Sequence, residues 1–387
     1  MYKGAYIVGA YELPIRAAPT TSVLELHAAA ARGALSDAGL QFKDVDAYFG
    51  AGDVPGMGAL SLAEYLNLNL KHVDTTELGG ASTLSHVAHA ARAIASGKCK
   101  VALITLAGRP LSEGMTAGTM ARPVDPRMAE QPFEIPFRPV NINMYALAAA
   151  RHMYEYGTTL EQLAWVKVSA SRHAVHNPHA KLRKRIELED VMTSPTISTP
   201  LRRHDCCVVT DGGGALVLAS HEIAKSLSRP LVGIRGAGET IGHLRGGYPD
   251  LTTTAAARSG AAAFAEAGVT IRDIKYASIY DSFTITVLLL LEDLGFCPKG
   301  RGGAYVQDGN LIYGVGRIPV NTDGGGMCSN HPANRGGMTK VLEAVRQLRG
   351  EANPALQVPS CDLALVQGIG GSLGTRYGSS TLVLERI

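Results

Sequence analysis

Short apolar runs alternate with longer helical patterns along most of the chain. Residues 5–10 and 101–106 are mostly apolar and rich in β-branched residues, which is typical of buried strands. Residues 22–38 form an alanine-rich helical pattern that ends at Gly39, since glycine commonly closes a helix. By the same criteria we expect further strands at 46–49, 215–218, 231–235, 276–280, 363–366 and 381–384, and further helices at 60–66, 84–95, 144–156, 160–171, 253–265 and 339–348.

This order of elements occurs twice. Residues 37–40, Asp-Ala-Gly-Leu, match residues 266–269, Glu-Ala-Gly-Val, at the end of the first helix of each copy. Residues 44–45, Asp-Val, match residues 273–274, Asp-Ile, at the same offset. A repeated unit of this kind in the sequence indicates a duplicated fold.

The repeat predicts an α/β protein made of two βαβαβ-type halves, residues 1–230 and 231–387. Residues from about 108 to 200 are richer in proline, methionine and arginine, which indicates an inserted loop subdomain in the first half. Two such halves that pack through their helices give a five-layered α/β/α/β/α arrangement. We expect the functional crevice where the halves meet, at strand ends and helix N-termini.

Composition excludes several classes of protein. Of the 387 residues, 46% are hydrophobic and 18% are charged, which favours a large buried core and a subunit interface. The net charge of +3 does not suit a nucleic-acid-binding protein. Six cysteines without a CxxC motif, and an N-terminus without a signal-peptide pattern, predict a soluble cytoplasmic protein. The apolar run at 285–291 is too short to span a membrane.

Four small-residue turns carry the candidate chemistry. They fall at equivalent edges of the two halves and comprise residues 79–82, 280–283, 330–332 and 368–371. His331 follows three glycines at 324–326, so we expect it on a tight turn before a helix. A histidine held in this way can act as a general acid, a general base or a hydrogen-bond donor to an oxyanion. The alternative is a capping turn in which His331 bonds only to backbone.

Together these turns resemble motifs of the thiolase superfamily. The chain is most similar to the sterol-carrier-protein-type branch of thiolase-like lipid-transfer proteins, to which residues 172–178, 204–207 and 210–212 are also similar. The resemblance covers essentially the whole chain. It implies the thiolase fold, an acyl-CoA thioester substrate, a homodimer or tetramer, and no permanently bound cofactor or metal.

The chain departs from this family at the two positions where thiolases carry catalytic cysteines. Gly80 stands where the resemblance places the nucleophile, at a helix N-terminus that would lower the pKa of a thiol. Gly368 stands where it places the second cysteine, which transfers protons. Because a glycine cannot form an acyl-enzyme, we expect chemistry without a covalent intermediate.

Tyr280 and His331 suit a retro-aldol cleavage of a β-hydroxyacyl-CoA. The resemblance matches His331 to the family histidine that polarises the thioester carbonyl, and Tyr280 to an asparagine or histidine beside the reacting carbon. The cleavage needs a base for the hydroxyl proton and donors for the developing enolate oxygen. We expect Tyr280 to be the acid/base, oriented by Asp281. The alternative is a tyrosine that only packs against the next helix.

Further hydrogen-bond donors are expected around the thioester oxygen. Asn330 would donate from its side-chain amide, and the backbone N–H groups of Gly370 and Gly371 would help. Some thiolase-like proteins without the cysteines, which resemble this chain, act as aldolases of this kind together with a small zinc-ribbon/OB-fold protein. The resemblance therefore also implies such an accessory partner.

A basic run, Arg183, Lys184 and Arg185, lies in the inserted region. In thiolases this region covers CoA, so the resemblance makes the run a candidate for binding the nucleotide phosphates. The alternative is a solvated charged surface. The apolar strand at 101–106 is expected to form the edge of a dimer interface.

Two other functions remain open. An acyltransferase of the acetyl-CoA acetyltransferase kind would need a non-standard thiol, and Cys328, three residues before His331, is the candidate. The alternative for Cys328 is a packing role. A non-catalytic acyl-CoA or lipid-binding protein would keep the fold without the chemistry, although the retention of Asn330 and His331 favours an enzyme.

Overall fold

The computed structural model describes residues 4–116, 140–243, 250–332, 336–374 and 376–387. The strands within them are β1 (Ala5–Glu12), β2 (Ala47–Gly50), β3 (His72–Thr75), β4 (Val101–Gly108), β5 (Thr196–Ser198), β6 (Leu201–Arg202), β7 (Gly212–Ser220), β8 (Val232–Gly242), β9 (Tyr276–Ile279), β10 (Leu363–Ser372) and β11 (Arg376–Arg386). The helices are α1 (Val23–Ala38), α2 (Ala59–Tyr65), α3 (Ser82–Ala95), α4 (Asn141–Tyr156), α5 (Leu160–Ala174), α6 (Leu188–Met192), α7 (His221–Ala224), α8 (Ala256–Ala267), α9 (Thr284–Asp293), α10 (Gly302–Val306) and α11 (Gly336–Arg349).

Nine of the described strands form one mixed sheet in the order β3-β2-β4-β7-β1-β8-β11-β10-β9. A short antiparallel contact between β1 and β8 joins its two parts, with Tyr6 opposite Gly233 and Ile7 opposite Val232. Strands on the β1 side of this contact all precede residue 230, and strands on the β8 side all follow it. Each part of the sheet therefore comes from one end of the chain, while the exact division at residue 230 stays a prediction.

The helices form three layers around the two parts of the sheet. α1 packs on β1, β4 and β7, and α8 packs on β8 and β11. α3 and α11 pack against each other and contact strands of both parts, so they form the central layer. Their apolar side chains form one buried core with β4, β7, β10 and β11, on the faces of these strands that point away from the outer helices. The predicted α/β class and five-layered arrangement are confirmed.

The repeat in the sequence is a repeated structural corner. Gly39 and Gly268 end α1 and α8 with φ of 73° and 65°, the left-handed conformation that glycine adopts without strain. Asp37 accepts a hydrogen bond from a backbone N–H of β1 at 2.9 Å, and Glu266 accepts one from β8 at 2.8 Å. In both copies an acidic residue near the end of the helix thus accepts a hydrogen bond from the first strand of the same half.

Two expectations about strands are wrong. β4 lies between β2 and β7, so it is an interior strand and cannot be the edge of a dimer interface; β3 is the edge on that side. Gly368–Gly371 were expected to form a turn, but they belong to β10 and pair with β11, Gly368 opposite Ser380 and Gly371 opposite Tyr377. Pairing along two long strands overrides the turn preference of glycine.

Seven of the described elements were not expected from the sequence, namely β3, β5, β6, α6, α7, α9 and α10. α9 is buried on nearly every side, so its apolar residues show no helical period. β3 has only four residues, with two half-buried and two exposed side chains. In the inserted region, α4 and α5 confirm the helices expected at 144–156 and 160–171; residues 117–139 of that region lie outside the described residues. No helix in the described part of the chain is long and apolar enough to cross a membrane.

Candidate active site

A cleft lies at the end of β9 and the start of α3, and residues of both halves line it. Its lining contains five residues that the sequence analysis singled out, namely Gly80, Tyr280, His331, Gly370 and Gly371. The remaining lining residues are Thr116, Asn141, Tyr145, Cys207, Val209, Ser282, Phe283 and Ile369. The crevice therefore lies where the halves meet, as expected.

The Tyr280 ring occupies the space above Gly80. Tyr280 follows β9 directly, and its backbone N–H donates to Gln367 O at 3.0 Å, so that the side chain projects over the start of α3. A Cβ added to Gly80 would lie 2.4 Å from Cε2 and Cζ of Tyr280 and 2.4 Å from Ile369 O. Atoms cannot approach so closely, so no side chain fits at position 80 in this arrangement.

His331 faces the same cleft as a neutral imidazole. Its ring meets the Tyr280 ring edge to face, with centroids 5.4 Å apart and planes at 69°. Burial lowers the pKa of His331 to about 4; Asp281 opposes this shift and Lys340 adds to it. Nε2 is buried and has no hydrogen-bond partner among the described residues. A neutral ring with an unpaired nitrogen in a cleft is poised to bond to a ligand.

The backbone of His331 is held by a chain of hydrogen bonds. Its N–H donates to Thr210 Oγ1 at 3.0 Å, and the Thr210 hydroxyl donates to Asn330 Oδ1 at 2.6 Å. Asn330 Nδ2 donates to Glu12 Oε1 at 2.8 Å. Asn330 is fully buried and does not appear among the described residues that line the cleft. The structure therefore does not bring the Asn330 amide to the position expected of an oxyanion donor.

The Asp281 carboxylate holds the glycine turn at residues 324–326. Its carboxylate accepts hydrogen bonds from the N–H groups of Gly326 at 2.9 Å and Met327 at 3.1 Å, and Lys340 Nζ lies 2.7 Å from Oδ1. A Cβ on Gly325 would lie 2.2 Å from Asp281 Oδ2, so only glycine permits this approach. Asp281 thus supports the turn that leads to His331, while the predicted orienting contact to Tyr280 stays a prediction.

The glycine-rich end of β10 forms one wall of the cleft. A Cβ on Gly370 would lie 2.0 Å from Leu78 O and 2.4 Å from Gly80 N. A Cβ on Gly368 would lie 2.9 Å from the Leu84 side chain and 3.0 Å from Gly80 O. The strand and the turn before α3 thus pack backbone against backbone. This contact leaves little room for a side chain at either position where thiolases carry a cysteine.

The thiol that lines the cleft is Cys207, which the sequence analysis did not single out. Burial raises the pKa of the Cys207 thiol well above its ordinary value, and Cys206 and Asp281 add to the effect. Cys328, the expected candidate, is fully buried among the small side chains of Ala170, Ala174 and Ala180, and does not line the cleft. Burial also raises the pKa of Cys328. Both residues are therefore thiols rather than thiolates at neutral pH.

The basic run lies beside the segment that supports His331. Lys181 N–H donates to Ser329 O at 3.0 Å, and Leu182 N–H donates to Cys328 O at 2.9 Å. The three residues that follow, Arg183, Lys184 and Arg185, are exposed. They are not among the described residues that line the cleft, so their contact with the nucleotide end of CoA stays a prediction.

An aromatic pair, Tyr145 and Phe283, also lines the cleft and was missed from the sequence. The rings of Tyr145 and Phe283 lie 4.7 Å apart, and burial raises the pKa of Tyr145 to about 12. Phe283 belongs to the motif at 280–283 and could have been found there. Tyr145 lies on α4 in the inserted region, where the sequence carries no comparable motif. Within the described residues, no group of three or more histidine, cysteine or carboxylate side chains could hold a metal ion.

The fold and the cleft together define a thiolase-type protein that lacks the nucleophilic cysteine. The family model "Thiolase C-terminal domain-like" matches residues 236–386. The chain is 33% identical to an "Acetyl-CoA acetyltransferase" of Methanothermobacter thermautotrophicus, over 89% of this chain and 90% of that protein. It is 34% identical to a "Steroid side-chain-cleaving aldolase" of Thermomonospora curvata, over 85% and 86%.

A solved structure of an "Ltp2-ChsH2(DUF35) aldolase" superimposes with a TM-score of 0.88 at 31% identity, over 99% of this chain and 98% of that one. These similarities extend over nearly the whole chain. The protein belongs to the thiolase superfamily, in its sterol-carrier-protein-type branch.

Proposed function

We propose that this protein cleaves a carbon–carbon bond of a β-hydroxyacyl-CoA by a retro-aldol reaction, without an acyl-enzyme. The observation that carries the proposal is the Tyr280 ring over Gly80, which puts a phenol where a thiolase would put its thiol. A phenol beside the reacting carbon serves proton transfer rather than acyl transfer. Two proteins similar to this chain bear the name aldolase, which supports the same reaction.

In the proposed mechanism Tyr280 acts as the phenolate and takes the proton of the β-hydroxyl group, which leaves Tyr280 as the neutral phenol. The bond between the α- and β-carbons then breaks, the β-carbon becomes a ketone or aldehyde, and the electron pair passes to the thioester oxygen as an enolate. Tyr280 returns the proton to the α-carbon, which gives a shortened acyl-CoA. One proton is moved and none is gained or lost, so the step needs no oxidant or reductant.

The thioester oxygen gains negative charge in this step and requires donors. His331, as the tautomer with a proton on Nε2, would donate to it, because His331 lines the cleft and its Nε2 has no partner among the described residues. A neutral histidine suits this role, since the pKa of about 4 keeps the ring uncharged at neutral pH. Backbone N–H groups of Gly370 and Gly371 would add to the donor set, as both glycines line the cleft.

The proposal extends to the partners of the chain. CoA enters as part of the substrate, with its phosphates near Arg183, Lys184 and Arg185, and no cofactor remains bound. β3, an edge strand with the exposed Val73, is the element through which we propose a homodimer, with a tetramer as the larger alternative. We also propose a small zinc-ribbon/OB-fold accessory protein, because the similar solved structure names a second component. The compartment we propose is the cytoplasm.

A panel of β-hydroxyacyl-CoA esters tests the proposed function. Purified protein, with and without the co-expressed accessory protein, is incubated with steroid side-chain, branched-chain and aromatic members of the panel. The expected result is equimolar release of a carbonyl compound and a shortened acyl-CoA from at least one member. The proposal fails if no member is cleaved with the accessory protein present, while saturation binding of the same esters is detected by calorimetry.

A second function, acyl transfer, is favoured by one observation, the Cys207 thiol in the cleft. A relative named acetyl-CoA acetyltransferase is consistent with it. Intact-protein mass spectrometry after incubation with acetyl-CoA separates the two functions. A retro-aldol lyase gains no mass, whereas an acyltransferase gains one acetyl group that the Cys207→Ser variant does not acquire.

A further inference from the structure

Glu12 lies at the end of β1 in the first half, yet its carboxylate is bonded to residues that support His331 in the second half. Oε1 accepts hydrogen bonds from Asn330 Nδ2 and from Arg16, both at 2.8 Å, and Oε2 accepts one from Arg346 at 2.8 Å. The Glu12 side chain is only 6% exposed. A buried carboxylate with this many charge-assisted bonds is tightly fixed in position.

The Glu12 carboxylate stays ionised in this environment. Burial raises the pKa of Glu12, but the nearby charges of Arg346 and Arg16 and the hydrogen bond from Asn330 outweigh burial, so that the pKa lies below its ordinary value. An ionised Glu12 can only accept hydrogen bonds. It therefore fixes which way the Asn330 amide is turned, with Nδ2 towards Glu12 and Oδ1 towards Thr210.

The orientation of Asn330 determines the rest of the chain of bonds. Because Asn330 Oδ1 accepts the Thr210 hydroxyl proton at 2.6 Å, the Thr210 oxygen keeps its lone pairs free for the His331 N–H, at 3.0 Å. Each hydrogen bond in this chain therefore has a fixed donor and a fixed acceptor. The His331 N–H donates to Thr210, and the Thr210 hydroxyl donates to Asn330. The Asn330 amide in turn donates to Glu12. The only part of this chain of residues that lines the cleft is His331 itself.

We infer that Glu12 is a positioning residue for His331, acting through Asn330 and Thr210. The packing of the first half against the second would thereby set the geometry of the cleft. The inference rests on the proposed function for its kinetic consequences. It also assigns Asn330 a different role from the one expected from the sequence: the amide transmits position and does not contact substrate. A shift of His331 by a fraction of an ångström would weaken its bond to the developing oxyanion.

Glu343 supplies a matched control. It is also a buried carboxylate near Arg346, with Oε2 at 3.4 Å from that guanidinium, but its other oxygen accepts from Thr322 at 2.6 Å and not from Asn330. Glu12→Ala and Glu343→Ala therefore each remove a buried carboxyl group next to the same arginine, although burial and the nearby Asp323 raise the pKa of Glu343 to about 7. Only Glu12→Ala removes the acceptor that orients Asn330.

Kinetics of these variants test the inference. Glu12→Ala is expected to lower kcat about tenfold with KM within about twofold, whereas Glu343→Ala keeps kcat within about twofold. In a His331→Ala background, the effect of Glu12→Ala on the residual kcat should vanish, because the residue it positions is gone. Equal losses of kcat in the two single variants, or an undiminished effect in the His331→Ala background, would overturn the inference.

A second variant and a readout independent of turnover cover the remaining outcomes. Thr210→Val keeps the shape of the side chain and removes the hydroxyl, and is expected to lower kcat as Glu12→Ala does even if the latter does not fold. The rate at which diethylpyrocarbonate modifies His331, followed by peptide mass spectrometry, should rise about threefold in both variants and stay unchanged in Glu343→Ala. If the wild type shows no lyase turnover, the proposed function fails, but the modification rate of His331 still decides the inference about Glu12. An unchanged modification rate in both variants would refute that inference.

Discussion

Gly80 and Tyr280 occupy complementary positions, because the Tyr280 ring fills the space that a side chain on Gly80 would need. Any Cβ at position 80 would lie 2.4 Å from two atoms of the Tyr280 ring. The two residues are 200 positions apart in the chain. The absence of the nucleophile and the presence of the phenol are thus a single structural feature, because the fold has no room for both.

Gly80→Ala is expected to abolish lyase activity, with a loss of about 100-fold or more, because one methyl group displaces the phenol. Overpacking against Ile369 O and the Tyr280 ring should also destabilise the protein by about 1–3 kcal/mol. Gly52→Ala is the control, since a Cβ there meets only Glu77 Oε2, at 3.3 Å. Turnover and urea unfolding are measured for both; a Gly80→Ala variant with wild-type turnover would show that Tyr280 does not need this space.

Tyr280→Phe is expected to lower kcat about 100-fold or more while KM changes little, because the ring stays in place and only the proton-transferring hydroxyl is lost. Tyr276→Phe removes a buried hydroxyl from the first residue of β9 and lies outside the described lining of the cleft, so it serves as the control. Both variants are compared with the wild type under saturating substrate. If the phenylalanine at 280 left kcat unchanged, Tyr280 would have only the packing role.

The duplicated halves and the glycine at position 80 could be predicted from the sequence because they depend on local patterns. Gly39 and Gly268 mark equivalent helix ends, and Gly80 can be found from its spacing to the end of α3. His331 and Tyr280 also follow from motifs, and the structure brings both to the cleft. Each of these predictions needs only the order of residues along the chain.

The directions of side chains could not be predicted, because partners distant in sequence decide them. Asn330 turns away from the cleft since Glu12, 318 residues earlier, accepts its amide. Asp281 turns to the glycine loop since two backbone N–H groups and Lys340 need an acceptor. Cys207 reaches the cleft only through the packing of the two halves, and nothing in its local sequence indicates this.

Acid should destabilise the protein through its buried histidines. Burial lowers the pKa of His86, His173 and His331 from 6.5 to about 4. Between pH 6.5 and 4 the unfolded chain binds protons that the folded protein does not, so the free energy of unfolding falls as pH falls through this window. The slope is expected to be about 1.4 kcal/mol per pH unit for each such histidine.

His173→Gln tests this origin of the acid sensitivity. His173 accepts the Tyr313 N–H on Nε2 at 2.9 Å and bonds to Asn321 O through Nδ1 at 3.2 Å, which only the neutral ring can do. Urea unfolding of the variant at pH 7.5 and pH 5 should show a smaller difference in stability than the wild type. His221→Gln, at an exposed position, should retain the wild-type difference. A wild-type stability that is flat between these pH values would contradict the prediction.

Asp281→Asn is expected to destabilise the protein by roughly 3 kcal/mol or more, because it removes the carboxylate that pairs directly with the buried Lys340 ammonium. Both side chains of this pair are only 1% exposed, and Nζ lies 2.7 Å from Oδ1.

Glu155→Gln is the control. It breaks the exposed pair of Arg151 with Glu155, which lie 2.9 Å apart with side chains 55% and 36% exposed, and should cost less than about 1 kcal/mol. Replacing both residues, as Asp281→Asn with Lys340→Met, should recover part of the lost stability, since the unpaired charge is removed. Urea unfolding measures all three variants. A double variant no more stable than Asp281→Asn would indicate that the lost bonds to the glycine turn, rather than the stranded ammonium, account for the effect.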